Sequence, residues 1–423
     1  MKEDTIPATL AGRMASPVSG AMPVPPSFSP VRLACMRAAM QRHLDRGWAP
    51  GLITYVYHKG RDHVEVMGTT AFGSQEPLRR DSIFRQASTT KPVTAVGAMI
   101  LVEECRLRLD DPVDDWLPEL ANRKVLRTIN SPLDDVVPAR RPITVRDLFT
   151  FRSGYGEVFF SAPGCPLHQA MIQARLPLAE WIFPGTADEF LQRLGELPLA
   201  CQPGEQWLYH MSAEILGVLV SRVAGRPLGQ FLRERLFEPL GMKDTGFFVP
   251  QEQLYRLPPC YGRDMTTGEL VVLEEAGGGR VAQPPLFESG AGGLVSTIDD
   301  MAAFGRMMLQ GGAGERERIL SRPSIELMTR DHLTREQKAI SPFFPGTWDS
   351  RGWGLGLGVI TANTDLGERP GRFGWDGAFG TSWYVDPQEG LVGVLMIQRR
   401  PDTLQLPAIT TDFWNSVYQL IPD

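Results

Sequence analysis

Apolar runs bounded by turn residues fall at the two ends of this chain, and helical spacing fills the stretch between them. Near the N-terminus, Gly51–His58 and His63–Gly68 form two strand-like runs around a turn at Lys59-Gly60-Arg61. Near the C-terminus, Gly356–Ala362, Gly371–Trp375, Thr381–Val385 and Leu391–Ile397 alternate or run apolar, and Asp386-Pro387-Gln388-Glu389-Gly390 joins the last two as a hairpin. From about Asp110 to about Leu320 the pattern is mainly helical, punctuated by Pro and Gly. Hairpin neighbours pair antiparallel, and strands so far apart in sequence bury their faces by joining one sheet. The expected class is α+β: a mostly antiparallel sheet built from N- and C-terminal parts, flanked by helices at Pro30–Arg46 and Leu404–Leu420, with a large, mainly helical insertion. The expected division is a mobile tail at 1–26, a sheet domain from 27–86 plus about 325–423, and a helical domain at about 87–324.

Composition narrows the function classes. A net charge of −6 gives no reason to expect nucleic acid or an anionic membrane as partner. No apolar run is long enough to span a membrane, and Met1–Pro26 lacks the apolar core of a secretory signal, so a cytoplasmic protein is expected. The five cysteines are scattered and form neither a disulfide framework nor a metal knuckle; Cys35 and Cys105 lie in apolar helical patterns and are expected in the core. The six histidines show no ligand-like spacing, and no P-loop or His-Glu-x-x-His motif occurs, so no cofactor is expected. Nor does Gly-x-Ser-x-Gly occur, which removes the strand-to-helix elbow of the α/β-hydrolases.

One stretch carries chemistry. Phe84-Arg85-Gln86-Ala87-Ser88-Thr89-Thr90-Lys91-Pro92 leads into the apolar run Val93–Leu107. That run fits a buried helix, and Pro92 is tolerated only in its first turn. Ser88 then stands at the helix start with Lys91 one turn on, on the same face. An ammonium beside a serine hydroxyl, near free N–H groups at a positive helix end, is a way to activate a weak nucleophile. A capping serine followed by a solvated lysine is the plainer reading of the same residues.

Three motifs in order favour the first reading. Ser88-Thr89-Thr90-Lys91, Pro203-Gly204-Glu205-Gln206-Trp207-Leu208-Tyr209 and Gly374-Trp375-Asp376-Gly377-Ala378 resemble those of the serine β-lactamase-like superfamily, in its class C branch and most like the family VIII carboxylesterases. Ile143-Thr144-Val145-Arg146-Asp147-Leu148 with Ser153-Gly154, Phe237-Glu238-Pro239-Leu240-Gly241-Met242 and Ala291-Gly292-Gly293-Leu294-Val295-Ser296 extend the resemblance over about residues 30 to 400. It implies a β-lactamase/transpeptidase-like fold with an active site between sheet and helices. It implies that Ser88 is the acylated nucleophile, that Lys91 holds charge against it and shares its proton, and that Tyr209 acts as base and then acid. It also implies that the backbone N–H groups of Ser88 and Ala378 hold the oxyanion. On this reading Trp375 walls the pocket and Gly377 lets an edge strand approach the substrate. A neighbouring ammonium should lower the tyrosine pKa from roughly 10.

Two departures shift the substrate. The Asn of the family's Tyr-x-Asn is Met211, and the Lys of its Lys-Thr-Gly is Trp375. Both remove polar groups that would hold a β-lactam. Trp375, Trp353, Trp383, Phe151, Phe159 and Phe160 are candidates for an apolar pocket, and His210 is expected to face away from Tyr209. The reading is a serine carboxylesterase for small or medium esters, with weak β-lactamase or acyltransferase activity as an addition. A β-lactamase or D-amino-acid peptidase is the enzymatic alternative, and a non-catalytic binding protein the alternative of another class. The expected partner is a small-molecule ester; oligomeric state is not legible.

Overall fold

A computed structural model describes residue 1 and residues 28–158, 162–177, 182–264, 266–403 and 405–421. The expected tail at 1–26 and the pocket candidates Phe159 and Phe160 lie outside the described residues, apart from Met1.

Helix α1 (Pro30–Asp45) begins with Ser29 accepting from the Arg32 N–H and with proline in the first turn. Strands β1 (Gly51–His58) and β2 (Arg61–Gly68) form the first hairpin, in the register Ile53↔Val66. Five C-terminal strands complete the sheet: β3 (Arg351–Trp353), β4 (Gly358–Ile360), β5 (Phe373–Asp376), β6 (Ser382–Asp386) and β7 (Leu391–Met396). Their order is β2-β1-β7-β6-β5-β4-β3, with every pair antiparallel. The two ends of the chain meet where β1 pairs with β7, for example Tyr55↔Val394. The three-residue strand β3 falls outside the sequence-based expectation, since so short a run carries no period.

Two helical layers cover the sheet. On one face α1 packs with the C-terminal helix, which starts at Ala408 behind Pro407, the expected start at Leu404 lying outside the described residues; Met36, Met40, Leu52, Val56, Leu395, Phe413 and Val417 are buried together. On the other, Met301, Phe304 and Met308 of a helix at Ile298–Leu309 join Ile53, Tyr55, Trp383, Val392 and Val394 in the main core. Each such large apolar side chain contributes about 1.5–3 kcal/mol on burial. Cys35 lies beside the buried stripe of α1, and Cys105 follows a helix end in the left-handed region (φ 57°), so both are exposed, against expectation.

Helix α2 (Thr90–Glu103) is buried on all sides from Thr90 to Leu101, as its all-round apolar sequence requires. It packs against helix α3 (Met211–Ala224). The start of α2 faces the end of β5, and there the three sequence motifs come together.

Candidate active site

The chain before Ser88 is fastened from several directions. Phe84 and Arg85 pair with Ser296 and Val295, and the Gln86 N–H donates to the Leu294 carbonyl at 2.8 Å. The Arg85 guanidinium is buried; it pairs with Glu274 at 2.8 Å and donates to the carbonyls of Pro258, Glu275 and Gly278. Ala87 takes a positive φ of 46°, a conformation that needs such support in a non-glycine residue. A 3-10 turn over Ala87–Thr89 then runs into α2. This puts Lys91 on the same side as Ser88, with Nζ 2.9 Å from Ser88 Oγ.

Lys91 is only 1% exposed, so it is not the solvated lysine of the plainer reading. Its Nζ donates to the Ala291 carbonyl at 2.8 Å, lies 3.4 Å from His210 Nδ1 and sits 4.5 Å from the centre of the Tyr209 ring. Burial draws its pKa down to about 7, against the opposing charges of Glu214 and Glu157.

Tyr209 reaches the same point from the loop before α3. It is buried, its hydroxyl is within hydrogen-bonding reach of Ser88, and its oxygen accepts the Trp375 indole N–H at 2.8 Å. Burial pushes the Tyr209 pKa well above the ordinary phenol value. This reverses the expected lowering by Lys91. The same desolvation that raises the phenol also lowers the amine pKa to about 7, so in the pH range where a phenol ionises the amine is already neutral and cannot stabilise the phenolate. His210 does not face away: its ring approaches both Lys91 and Tyr209.

An aromatic cluster surrounds Tyr209. Phe151 and Trp353 lie 4.6 Å apart between ring centres, Trp353 and Trp375 4.8 Å, and Trp207 and Tyr209 5.6 Å, with Phe343 and Trp348 against Trp207. Trp375, Trp353 and Phe151 thus pack with Tyr209 in one buried aromatic cluster, whereas Trp383 packs against Phe304 in the main core. Trp207, Phe343, Trp348 and Glu214 join the site without having been singled out; Trp207 lay within the Pro203–Tyr209 motif, and nothing local marked the other three.

Trp375 belongs to β5, which is an interior strand paired with β4 and β6, not the edge strand expected. Its pairing ends at Asp376, so Gly377 and Ala378 lie in the turn beyond. The Gly377 N–H donates to the Thr381 carbonyl at 2.7 Å, and Thr381 Oγ1 donates to the Gln86 carbonyl at 3.0 Å. The turn is therefore docked on the chain two residues before Ser88. Ala378 is exposed, and its N–H makes no hydrogen bond among the described residues. The Asp376 carboxylate is occupied by Ser382 at 2.6 Å and Tyr384 at 2.7 Å. Met211 is buried at the start of α3. Among the described residues no cluster of His, Cys, Asp and Glu suits a metal ion, and no helix is long and apolar enough to cross a membrane.

Known proteins resemble this chain in sequence and in fold. The sequence profile of the beta-lactamase family matches residues 36–409. Protein Rv1367c of Mycobacterium tuberculosis (strain H37Rv) is 38% identical over 376 residues, covering 86% of this chain and 90% of its own. Esterase EstB of Burkholderia gladioli is 29% identical over 360 residues, covering 81% and 83%. Among solved structures, EstCE1, a hydrolase with promiscuous acyltransferase activity, superposes with a TM-score of 0.76 at 23% identity, over 92% of this chain and 98% of its own. The chain belongs to the beta-lactamase family.

Proposed function

We propose that the protein is a serine carboxylesterase, hydrolysing small or medium carboxylic esters through an acyl-enzyme on Ser88. The observation that carries this reading is the buried Lys91 amine, 2.9 Å from Ser88 Oγ, with its pKa drawn down to about 7. Such an amine is substantially unprotonated at neutral pH and takes the hydroxyl proton as Ser88 Oγ attacks the ester carbonyl. Tyr209, with its raised pKa, keeps its proton until the alcohol departs. It protonates the leaving oxygen and is restored from the Lys91 ammonium, which carries the proton taken from Ser88. The backbone N–H groups of Ser88 and Ala378 hold the oxyanion. Water then attacks the acyl-enzyme; an acceptor alcohol in its place gives acyl transfer.

Esters suit the site better than β-lactams. An indole and a thioether, Trp375 and Met211, stand where the family motifs carry polar side chains, and the aromatic rings around Tyr209 favour an apolar acyl or alkyl group. Similarity to Esterase EstB, and to the Lovastatin esterase of Penicillium rubens at 29% identity, supports the same class.

The test compares turnover of a short p-nitrophenyl ester with that of a chromogenic cephalosporin, with intact-mass detection of the acyl-enzyme. Ester preference with a mass adduct on wild type, absent from Ser88→Ala, is the expected result. Preference for the cephalosporin would move the reading to a β-lactamase. No turnover, with no fluorophosphonate labelling of folded protein, would leave a binding role.

A further inference from the structure

Among the described residues, Lys91 Nζ has three hydrogen-bonding neighbours: Ser88 Oγ at 2.9 Å, the Ala291 carbonyl oxygen at 2.8 Å and His210 Nδ1 at 3.4 Å. An ammonium with its three N–H bonds can serve all three. A neutral amine has two N–H bonds and one lone pair. When the carbonyl and the imidazole take the two N–H bonds, the lone pair is left facing the Ser88 hydroxyl, where a proton acceptor is needed. A carbonyl oxygen only accepts. Imidazole Nδ1 accepts only when the proton sits on Nε2, and Glu214 Oε1, 3.4 Å from His210 Nε2, favours that tautomer. This is a contact of ion-pair length without hydrogen-bond geometry, enough to bias the tautomer rather than to lock the ring.

Two further observations bear on the ring. Glu214 is itself fixed: it accepts from Ser289 Oγ at 2.7 Å and from the Ala291 N–H at 3.2 Å, so one carboxylate bears on two of the three partners of Lys91, Ala291 and His210. And His210 occupies φ 78°, ψ −66°, the centre of a γ-turn closed by the Met211 N–H on the Tyr209 carbonyl at 3.1 Å. That hand of γ-turn is rare and strained for a residue with a Cβ. It sends the Tyr209 ring towards Ser88 and the next ring towards Lys91. Burial keeps the imidazole neutral, the form the arrangement needs.

We propose that His210, oriented by Glu214, is a positioning residue: it occupies one N–H of the neutral Lys91 amine and thereby aims the lone pair at Ser88. This rests on the reading of Lys91 as the base for Ser88. The experiment measures kcat, KM and Tm with a p-nitrophenyl ester for His210→Gly, His210→Asn and Lys91→Ala. Glycine fits the positive φ and removes the acceptor; asparagine tolerates that φ and supplies an amide oxygen. His210→Gly should lose about 10²-fold in kcat with KM nearly unchanged, and His210→Asn should recover about tenfold of that loss. If the glycine variant does not fold, His210→Leu, which fills the space without an acceptor, makes the same comparison. Wild-type kcat in the acceptor-free variant, or a folded asparagine variant no better than it, overturns the proposal. An active Lys91→Ala would overturn the underlying reading of Lys91. An inactive Lys91→Ala beside an active acceptor-free variant would remove the role of His210 alone.

Discussion

The indole N–H of Trp375 donates a 2.8 Å hydrogen bond to the phenolic oxygen of Tyr209, tying the sheet strand β5 to the loop that begins α3. The bond fixes the phenol within hydrogen-bonding reach of Ser88. Trp375→Phe keeps an aromatic ring over Gly358 but removes the donor. Stability should fall by about 1–2 kcal/mol, the cost of leaving a buried hydroxyl with one partner fewer. The value of kcat should fall by about tenfold or more as the phenol loses its fixed orientation. Steady-state kinetics and denaturant unfolding on one sample check both; unchanged kcat would show that the bond only packs the two elements together.

Ester hydrolysis should show an acid limb near pH 7. The neutral form of Lys91 is the active base, and its pKa is drawn down to about 7 by burial. Below that pH, kcat/KM should fall by about tenfold per pH unit, and above it the rate should level off. The raised pKa of Tyr209 puts any loss from phenol ionisation above the ordinary phenol range. A profile from pH 5 to 10 decides the matter; a rate flat through pH 7 that falls only towards pH 10 would mean that Lys91 works as an ammonium.

Lys91→Met should abolish turnover and stabilise the fold. The folded-state pKa lies below the ordinary value of 10.5, so between about pH 7 and pH 10.5 the unfolded chain binds more protons at this residue than the folded one. Stability from this residue therefore rises with pH across that window, and the full penalty is present below it. Methionine escapes the penalty while filling similar space. Its advantage at pH 7 should be about 1–2 kcal/mol, narrowing as the pH approaches 10.5. Urea unfolding at two pH values tests this; a destabilised variant at pH 7 would show that the contacts of Lys91 outweigh its desolvation.

Glu274→Ala should be among the more damaging changes far from the reacting atoms. Arg85 and Glu274 are both nearly buried and lie 2.8 Å apart, and Arg280 meets the same carboxylate at 2.7 Å. Removing the carboxylate strands a guanidinium three residues before Ser88, a loss of about 3–5 kcal/mol. Unfolding measurements read the stability, and the rate of labelling by a fluorophosphonate reads the placement of Ser88. Labelling at the wild-type rate in the weakened protein would separate the two effects.

Local spacing made part of this molecule legible and left other parts hidden. Ser88 and Lys91 meet because three residues along a helix share a face, which is a property of sequence. The hairpins of β1 with β2 and β6 with β7 follow from apolar runs and turn residues in the same way. The rotation of His210 towards Lys91 was not legible, since it depends on a strained γ-turn that no composition signals. The direction of the Tyr209 shift is not legible either, because a charged neighbour shows in a motif and burial does not. Likewise the interior place of β5 is not legible: the run at Gly356–Ala362 signals β4 but not its pairing with β5, and β3 is too short to carry a pattern.

Gly377 lies where the turn after β5 meets the chain before Ser88, and its substitution isolates the contribution of that turn. A Cβ at position 377 would stand 2.4 Å from the Gln86 carbonyl oxygen and 2.1 Å from Thr381 Oγ1. Gln86 is held by the Leu294 carbonyl and lies next to the strained Ala87, so it yields little. In Gly377→Ala the turn must retreat and carry Ala378 away from Ser88. A displacement of about 1 Å at an oxyanion donor costs on the order of 10²-fold in rate. That loss should appear in kcat, because the developing oxyanion exists only in the transition state. Ser88, Lys91 and Tyr209 keep their mutual geometry, so the fluorophosphonate should still label the variant, more slowly. Normal kcat in a folded Gly377→Ala protein would remove Ala378 from the oxyanion site.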